Sequence, residues 1–223
     1  KDAAFTQPWN FDIDVVETDI TLYAQWWQIP EGTAIFSQDD FYNLLSGETT
    51  YEVGAKFYLR NDLDFQDFVW DPTPFTETLQ PHTFILNGNG KTISNISFAG
   101  TAQAGLIQRM ASGSIYDLTL ENIHLEGQTQ GGILIGRVFN GSTVDIHDVT
   151  IINSSVSAGK AGTSGVGALI GHIQGQNDKS TVNVSNVALL NVHVESAVNS
   201  AGGLVGDVES SKLTVTDAII DVI

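Results

Sequence analysis

Apolar residues in this chain fall in short alternating runs, and the runs recur on a beat. The pentapeptide GILIG stands at Gly132–Gly136, GALIG at Gly167–Gly171 and GGLVG at Gly202–Gly206. The two intervals are both 35 residues, and a degenerate copy, AGLIQ, lies at Ala104–Gln108, 28 residues before the first. A second line recurs beside it: Ile115-Tyr116-Asp117-Leu118-Thr119-Leu120-Glu121-Asn122, then copies opening on Ile146, Val184 and Val215, at intervals of 31, 38 and 31. Ile93-Ser94-Asn95-Ile96 opens an earlier copy. Self-similarity at a period of 20–50 residues is the mark of a solenoid or array. Period-two alternation identifies the recurring units as strands.

The polar positions repeat too. An Asp or Asn follows two places after the first aliphatic (Asn95, Asp117, Asp148, Asn186, Asp217). A second Asx closes each later segment: Asn122, Asn153, Asn191, and Asp221 in the last copy. Stacked coils set equivalent residues about 4.8 Å apart, so these side chains are expected to bond up and down ladders at the turns while the aliphatics fill the interior. Each unit holds three short strands: the GxLIG segment, the segment up to the first Asx, and the segment after the second. The predicted architecture is an all-β, right-handed parallel β-helix of about five coils. Its GxLIG glycines allow tight turns, and its variable loops (159–165, 175–179 and 195–201) protrude where such arrays often bind.

Ahead of the repeats the pattern changes. Residues 18–26 alternate as a strand, with Ile20, Leu22, Ala24 and Trp26 on one face. Residues 29–36, with Pro30 and Gly32, read as a linker. Ser37 to Gly47 predicts one helix: Ser37 as N-cap, Asp39 and Asp40 in the first turn, an apolar stripe of Phe41, Leu44 and Leu45, and Gly47 as the stop. A helix this short needs a surface to pack on, and covering the open end of the solenoid is its expected role. Lys56–Phe65 is the predicted first coil. Residues 70–82 carry three of the five prolines and read as an extruded loop. Asn87-Gly88-Asn89-Gly90 is a turn signal; without a following helix or a G-K-[ST] it is a poor phosphate loop. The domains are therefore 1–28, a linker at 29–36, and a capped β-helix at 37–223.

Composition narrows the function. The net charge is −17, and residues 1–77 hold 15 acids against 3 bases. No basic patch exists to neutralise phosphates, which argues against nucleic acid as a partner, and an anionic membrane surface would repel the chain. There is no cysteine, so disulfides, thiolate metal sites and cysteine nucleophiles are excluded. No apolar run approaches the ~20 residues of a membrane span. The opening KDAAFTQPWNF has neither a methionine nor an apolar leader, so the expectation is a segment of something longer, monomeric within it.

Two stretches resemble known families. KDAAFTQPWNF followed by VVETDITLYAQW is similar to the closing half of a Listeria–Bacteroides repeat, which implies a partial β-grasp-like module at residues 1–28. FYLRNDLDF, LNGNGKTISNISF, GGILIG and VDIHDVTIINSSV resemble the GLUG-type β-helix of bacterial surface adhesins, a scaffold also found ahead of the catalytic part of IgA-cleaving metallopeptidases; the likeness covers about residues 33–223. That motif brings no catalytic residues with it.

Asp62, Asp64, Asp67 and Asp71 form the densest acidic cluster, a calcium candidate by its D-x-D pair. Calcium wants six to eight oxygens, and no EF-hand or glycine-rich nonapeptide pattern surrounds the cluster. The competing reading, that Asn61 and Asp62 bond turn backbone, is preferred, and no cofactor is expected. Arg109 and Arg137 fall in neighbouring coils near Asp207, without a carboxylate pair in register. The histidines, His82, His124, His147, His172 and His193, show no metal spacing and read as solvated surface groups. There is no G-x-S-x-G elbow and no evident acid pair for glycoside hydrolysis. Thr119 and Thr150 fall in register, but Ala188 and Ile219 break the threonine row that ice binding would need. The expected function is a non-enzymatic structural or adhesive module of a bacterial cell-surface or secreted multidomain protein, binding a glycan or host protein through its loops. The alternative is a domain, catalytic or not, of a larger carbohydrate-active enzyme or surface peptidase.

Overall fold

A computed structural model describes residues 29–71, 74–75, 79–158, 165–197 and 200–223. The strand and family resemblance read at residues 1–28 lie outside the described residues. Glu31–Ile223 forms a compact unit. Its elements run β1 (Thr33–Ile35), α1 (Gln38–Ser46), β2 (Ala55–Leu59), β3 (Leu63–Asp64), β4 (Phe84–Ala104), β5 (Ile107–Met110), β6 (Gly113–Gly132) and β7 (Ile135–Val138). They continue as β8 (Thr143–Ala158), β9 (Val166–Gly167), β10 (Ile170–Ile173), β11 (Thr181–Ser196), β12 (Ala201–Gly202), β13 (Val205–Val208) and β14 (Lys212–Val222).

The pairings make a parallel β-solenoid of about five coils. One sheet stacks β1, β2, β4, β6, β8, β11 and β14, and a second stacks β5, β7, β10 and β13. Each GxLIG segment crosses from the first sheet, which holds its first glycine (Gly132, Gly167, Gly202), into the second, which begins at its fourth residue. Like residues stack on like through the interior. Leu86, Ile115, Ile146, Val184 and Val215 form one row, and Ile93, Leu120, Ile151, Leu189 and Ile220 another. The rows are buried until β14, where no further coil covers them among the described residues: Val215 is 42% exposed and Ile220 48%.

The Asx positions turn the corners. Asn95, Asp117, Asn122, Asp148, Asn153, Asn186, Asn191 and Asp217 all have φ between 49° and 60°. This left-handed region costs residues with a Cβ, and Asn and Asp tolerate it best because their short polar side chains bond locally. The side chains also bond across coils: Asn95 Nδ2 donates to Asp64 Oδ1 at 2.7 Å, and Asn191 Nδ2 to Asn153 Oδ1 at 2.8 Å. At the first corner Asn186 Nδ2 donates to Asp148 Oδ1. The long strands β4, β6, β8 and β11 therefore each bend at these residues. Two Asx positions depart from the rows expected of them. Ile93 pairs with Leu120 and not with Ile115, so Asn95 stands in the second row, where it accepts from Asn122 Nδ2, and not in the first beside Asp117. Asp221 departs from the second row. The pairing of β11 with β14 shifts register between Leu189 and Val192, and Asp221 lacks the left-handed φ of its counterparts.

The helix forms as its sequence predicts. Ser37 Oγ accepts from Asp40 N at 3.2 Å, Asp40 Oδ2 accepts from Ser37 N at 3.1 Å, and Gly47 ends the helix at φ 83°. Phe41, Leu44 and Leu45 are buried in the main apolar core.

Four local expectations change. Thr33–Ile35, inside the stretch read as linker, pairs in parallel with β2. Trp70 and Phe75, inside the stretch read as an extruded loop, are buried; Trp70 stacks on Phe98 with ring centres 5.2 Å apart. Large aromatic rings gain too much by burial for the prolines around them to keep them in water. Asn87–Gly90 is a coil corner within β4, between parallel neighbours, with Asn89 at φ 54° and its Nδ2 donating to Leu59 O. Finally, the GxLIG segments do bend between the two sheets, but their glycines have no left-handed φ, so the bend is not what requires glycine there. A Cβ on Gly167 would collide with Gly206 N and Ile170 O, so the missing side chain lets one stretch of backbone lie on another.

Candidate functional site

The acidic cluster is shared out among turns. Asp62 Oδ1 accepts from Thr92 N at 2.8 Å. Asp64 Oδ1 accepts from Asn95 Nδ2 and from Gln66 N, and these two bonds hold its carboxyl below the usual range, Asn95 contributing most. Asp64 and Asp67 line a shallow depression of about 330 Å³ with Gln38, Asp39, Gln66 and Phe68. Asp62 and Asp71 are not part of it. Asp71 instead offers its carbonyl to the Tyr42 hydroxyl at 3.0 Å. Burial, with Asp71 and Glu48 nearby, raises the Tyr42 phenol. Among the described residues no three His, Asp or Glu side chains already stand as a metal-holding group.

The histidines divide. His124 is exposed, between Ser155 Oγ at 2.8 Å and Asn122 Oδ1 at 2.7 Å. His147 stacks on Tyr116 and bonds Asp148, whose carboxyl is held low first by that bond and then by Asn186. His193 is exposed beside Glu195. His82 and His172 contradict the surface reading: both are buried, at 3% and 4% exposure.

His82 sits behind the end of the helix. Its Nε2 lies 3.1 Å from Leu45 O, which can only accept, so Nε2 carries the proton. Nδ1 then accepts from the Tyr51 hydroxyl at 2.7 Å. Burial pushes the imidazole down to about 4, partly opposed by the Leu45 bond. Burial likewise raises the Tyr51 phenol. The pair lines a cleft of about 340 Å³ with Thr49, Thr50, Leu79, Gln80 and Pro81, and among the described residues its lining holds no charged side chain, the imidazole being neutral.

His172 belongs to a row that register builds and that sequence spacing hides. Arg109, Arg137, His172 and Asp207 stand side by side on β5, β7, β10 and β13. The Arg109 guanidinium lies 4.3 Å from the Phe139 ring centre and donates to Leu79 O. Arg137 lies 4.9 Å from the same ring and donates to Gln174 Oε1. The Gln130 amide faces His172 Nδ1 at 3.3 Å. Burial lowers the His172 imidazole and Arg137 adds to the effect, while Asp207 and Glu209 oppose it. The row therefore runs from cation to anion along the solenoid axis, with a neutral imidazole between. The available sequence signal was that position 137 of one GxLIG copy aligns with 172 and 207 of the next two.

No family model matches the chain. Halomucin of Haloquadratum walsbyi is 31% identical over 100 residues, covering 44% of this chain, and the chain spans 1% of that protein's length. A crystal structure from Bacteroides ovatus, provisionally described as an immunoglobulin A1 protease, is 13% identical with a TM-score of 0.43, covering 84% of this chain and 78% of that one. Neither likeness carries a residue or an activity to this chain. Among the described residues no helix is long and apolar enough to cross a membrane.

Proposed function

We propose that this chain is a non-enzymatic structural and adhesive module of a secreted or cell-surface bacterial protein, with a β-helix of the GLUG type as a stiff spacer and a Listeria–Bacteroides type repeat ahead of it. The observation that carries the reading is the pair of unbroken aliphatic rows flanked by Asx ladders at left-handed corners. Such a stack resists bending because every coil is bonded to both neighbours along its length. Polar residues of the types that do chemistry are spent on the scaffold: Asp62 and Asp64 on backbone and ladder, Arg109 on Leu79 and Phe139. The helix, with its apolar stripe in the core, acts as a lid on the first coil. The cleft beside Tyr51, whose described lining holds polar and apolar groups without a charge, suits a neutral, hydroxyl-rich ligand such as a glycan. An extracellular setting fits the cysteine-free, strongly acidic composition. The test is a glycan and surface-protein array with the whole chain, followed by incubation with each bound species. Binding without turnover is expected; release of cleaved product from any of them refutes the non-enzymatic reading.

A further inference from the structure

One buried group is left over once the scaffold has taken its share. The His172 side chain is 5% exposed, and its Nε2 meets no acceptor at good hydrogen-bond geometry. That nitrogen nonetheless lies 3.5 Å from Asp207 Oδ2 and 3.5 Å from Glu209 Oε2. Both carboxylates come from the neighbouring coil: Asp207 pairs with His172 in register, and Glu209 N donates to Ile173 O at 2.9 Å, which pins its backbone beside the imidazole. A buried nitrogen aimed at two carboxylates, too far for good hydrogen bonds, is spaced for something between them. A tetrahedral cation bonded to N and O at about 2.0–2.2 Å sets its ligands ~3.4 Å apart.

We propose that His172 Nε2, Asp207 Oδ2 and Glu209 Oε2 form a site for a divalent transition-metal cation, with zinc as the reference ion and water completing the shell. The donor set selects the ion. One imidazole with two carboxylates suits zinc, whereas calcium asks for more oxygens than this corner provides. The three donors do not yet surround one point. The imidazole is fixed and the carboxylates are the moving parts, since Asp207 is 45% and Glu209 32% exposed. They close on the ion by rotating. The Gln130 amide, turned to present its oxygen, accepts from Nδ1–H and leaves the Nε2 lone pair for the metal. Arg137 on the adjacent strand opposes a cation, but its guanidinium is drawn to Phe139 and Gln174, and two negative charges outweigh its one. The ion would clamp β13 to β10, in the last coils among the described residues.

The test is calorimetric titration of zinc into the untagged full chain at neutral pH, with melting followed in parallel. One equivalent is expected to bind and to raise the melting temperature. The double variant Asp207→Asn/Glu209→Gln, at partly exposed positions, is expected to keep the metal-free melting temperature and to bind zinc at least tenfold more weakly. His172→Gln is expected to abolish binding, while Asp67→Asn, in the other acidic cluster, leaves it unchanged. No heat of binding to the native chain, or equal binding by the double variant, overturns the proposal. So does tighter binding of calcium than of zinc at the same residues.

Discussion

The buried His82 makes the stability of the helix end depend on pH in a defined window. In the unfolded chain this imidazole titrates near 6.5; in the fold it titrates at about 4, because burial disfavours the cation. The unfolded state therefore holds more protons between those values, and stability falls as the medium is acidified. Above pH 6.5 the group costs nothing. Below it the loss runs at about 1.4 kcal/mol per pH unit, reaching ~2 kcal/mol by pH 5 and levelling at ~3 kcal/mol below pH 4. The structural consequence is local. A charged ring no longer accepts from Tyr51, so the Tyr51–His82 bond is lost while the bond to the helix carbonyl of Leu45 is kept. The assay is urea denaturation of the native chain and of His82→Gln from pH 7.5 to pH 4.5, with midpoints converted at constant slope. Glutamine retains a donor for Leu45 O and an acceptor for Tyr51 without titrating. The variant should start less stable at neutral pH and lose ~2 kcal/mol less between pH 7.5 and pH 5. His172, also lowered by burial, supplies a remaining slope of the same sign in both proteins. Superposable pH profiles would refute the argument, since the burial of His82 would then carry no titration cost.

Two further outcomes test the stack itself. Ile151→Ala empties a fully buried position in the middle of a row and should cost about 2–5 kcal/mol, whereas Ile220→Ala, in the same row but 48% exposed, should cost about 1 kcal/mol or less; equal losses by thermal or urea denaturation would deny that the open coil differs from the interior ones. Asn153→Ala leaves a residue at φ 49° without the local polar bonding that lets asparagine tolerate it and removes the Asn191 bond, for a loss of ~2–3 kcal/mol, and Asn153→Gly recovers the backbone part, ~1–2 kcal/mol; a glycine variant no more stable than the alanine one would show that the corner, as opposed to the ladder bond, is not what asparagine supplies.

The recurring lines were legible because a parallel solenoid copies its sequence constraints from coil to coil. Ile115, Ile146 and Val184 fill one slot, so the alternation and the period announce it. Asn122, Asn153 and Asn191 were legible as a ladder for the same reason, although the left-handed φ that selects them is a property of the corner. The helix was legible from its caps, which act within a few residues. The aromatic burial of Trp70 and Phe75 was not, because prolines speak for local backbone while ring burial depends on Phe98 in the next coil. Asp221 misled because one skipped residue leaves the composition of a line intact and changes its register.

The sequence by itself determined the solenoid class, the identity of the rows, the helix and its ends, and the uneven acidity. These follow from local propensity and from a repeat that imposes one pattern many times. Tertiary structure alone decided where single charges and imidazoles go. His172 is isolated in sequence, yet parallel register sets it between Arg137 and Asp207, 35 residues away on either side. His82 looks like a surface histidine until the helix end and Tyr51 close over it. Burial and the neighbours that cause it are set by the stacking of distant coils, and no short-range pattern along the chain encodes them.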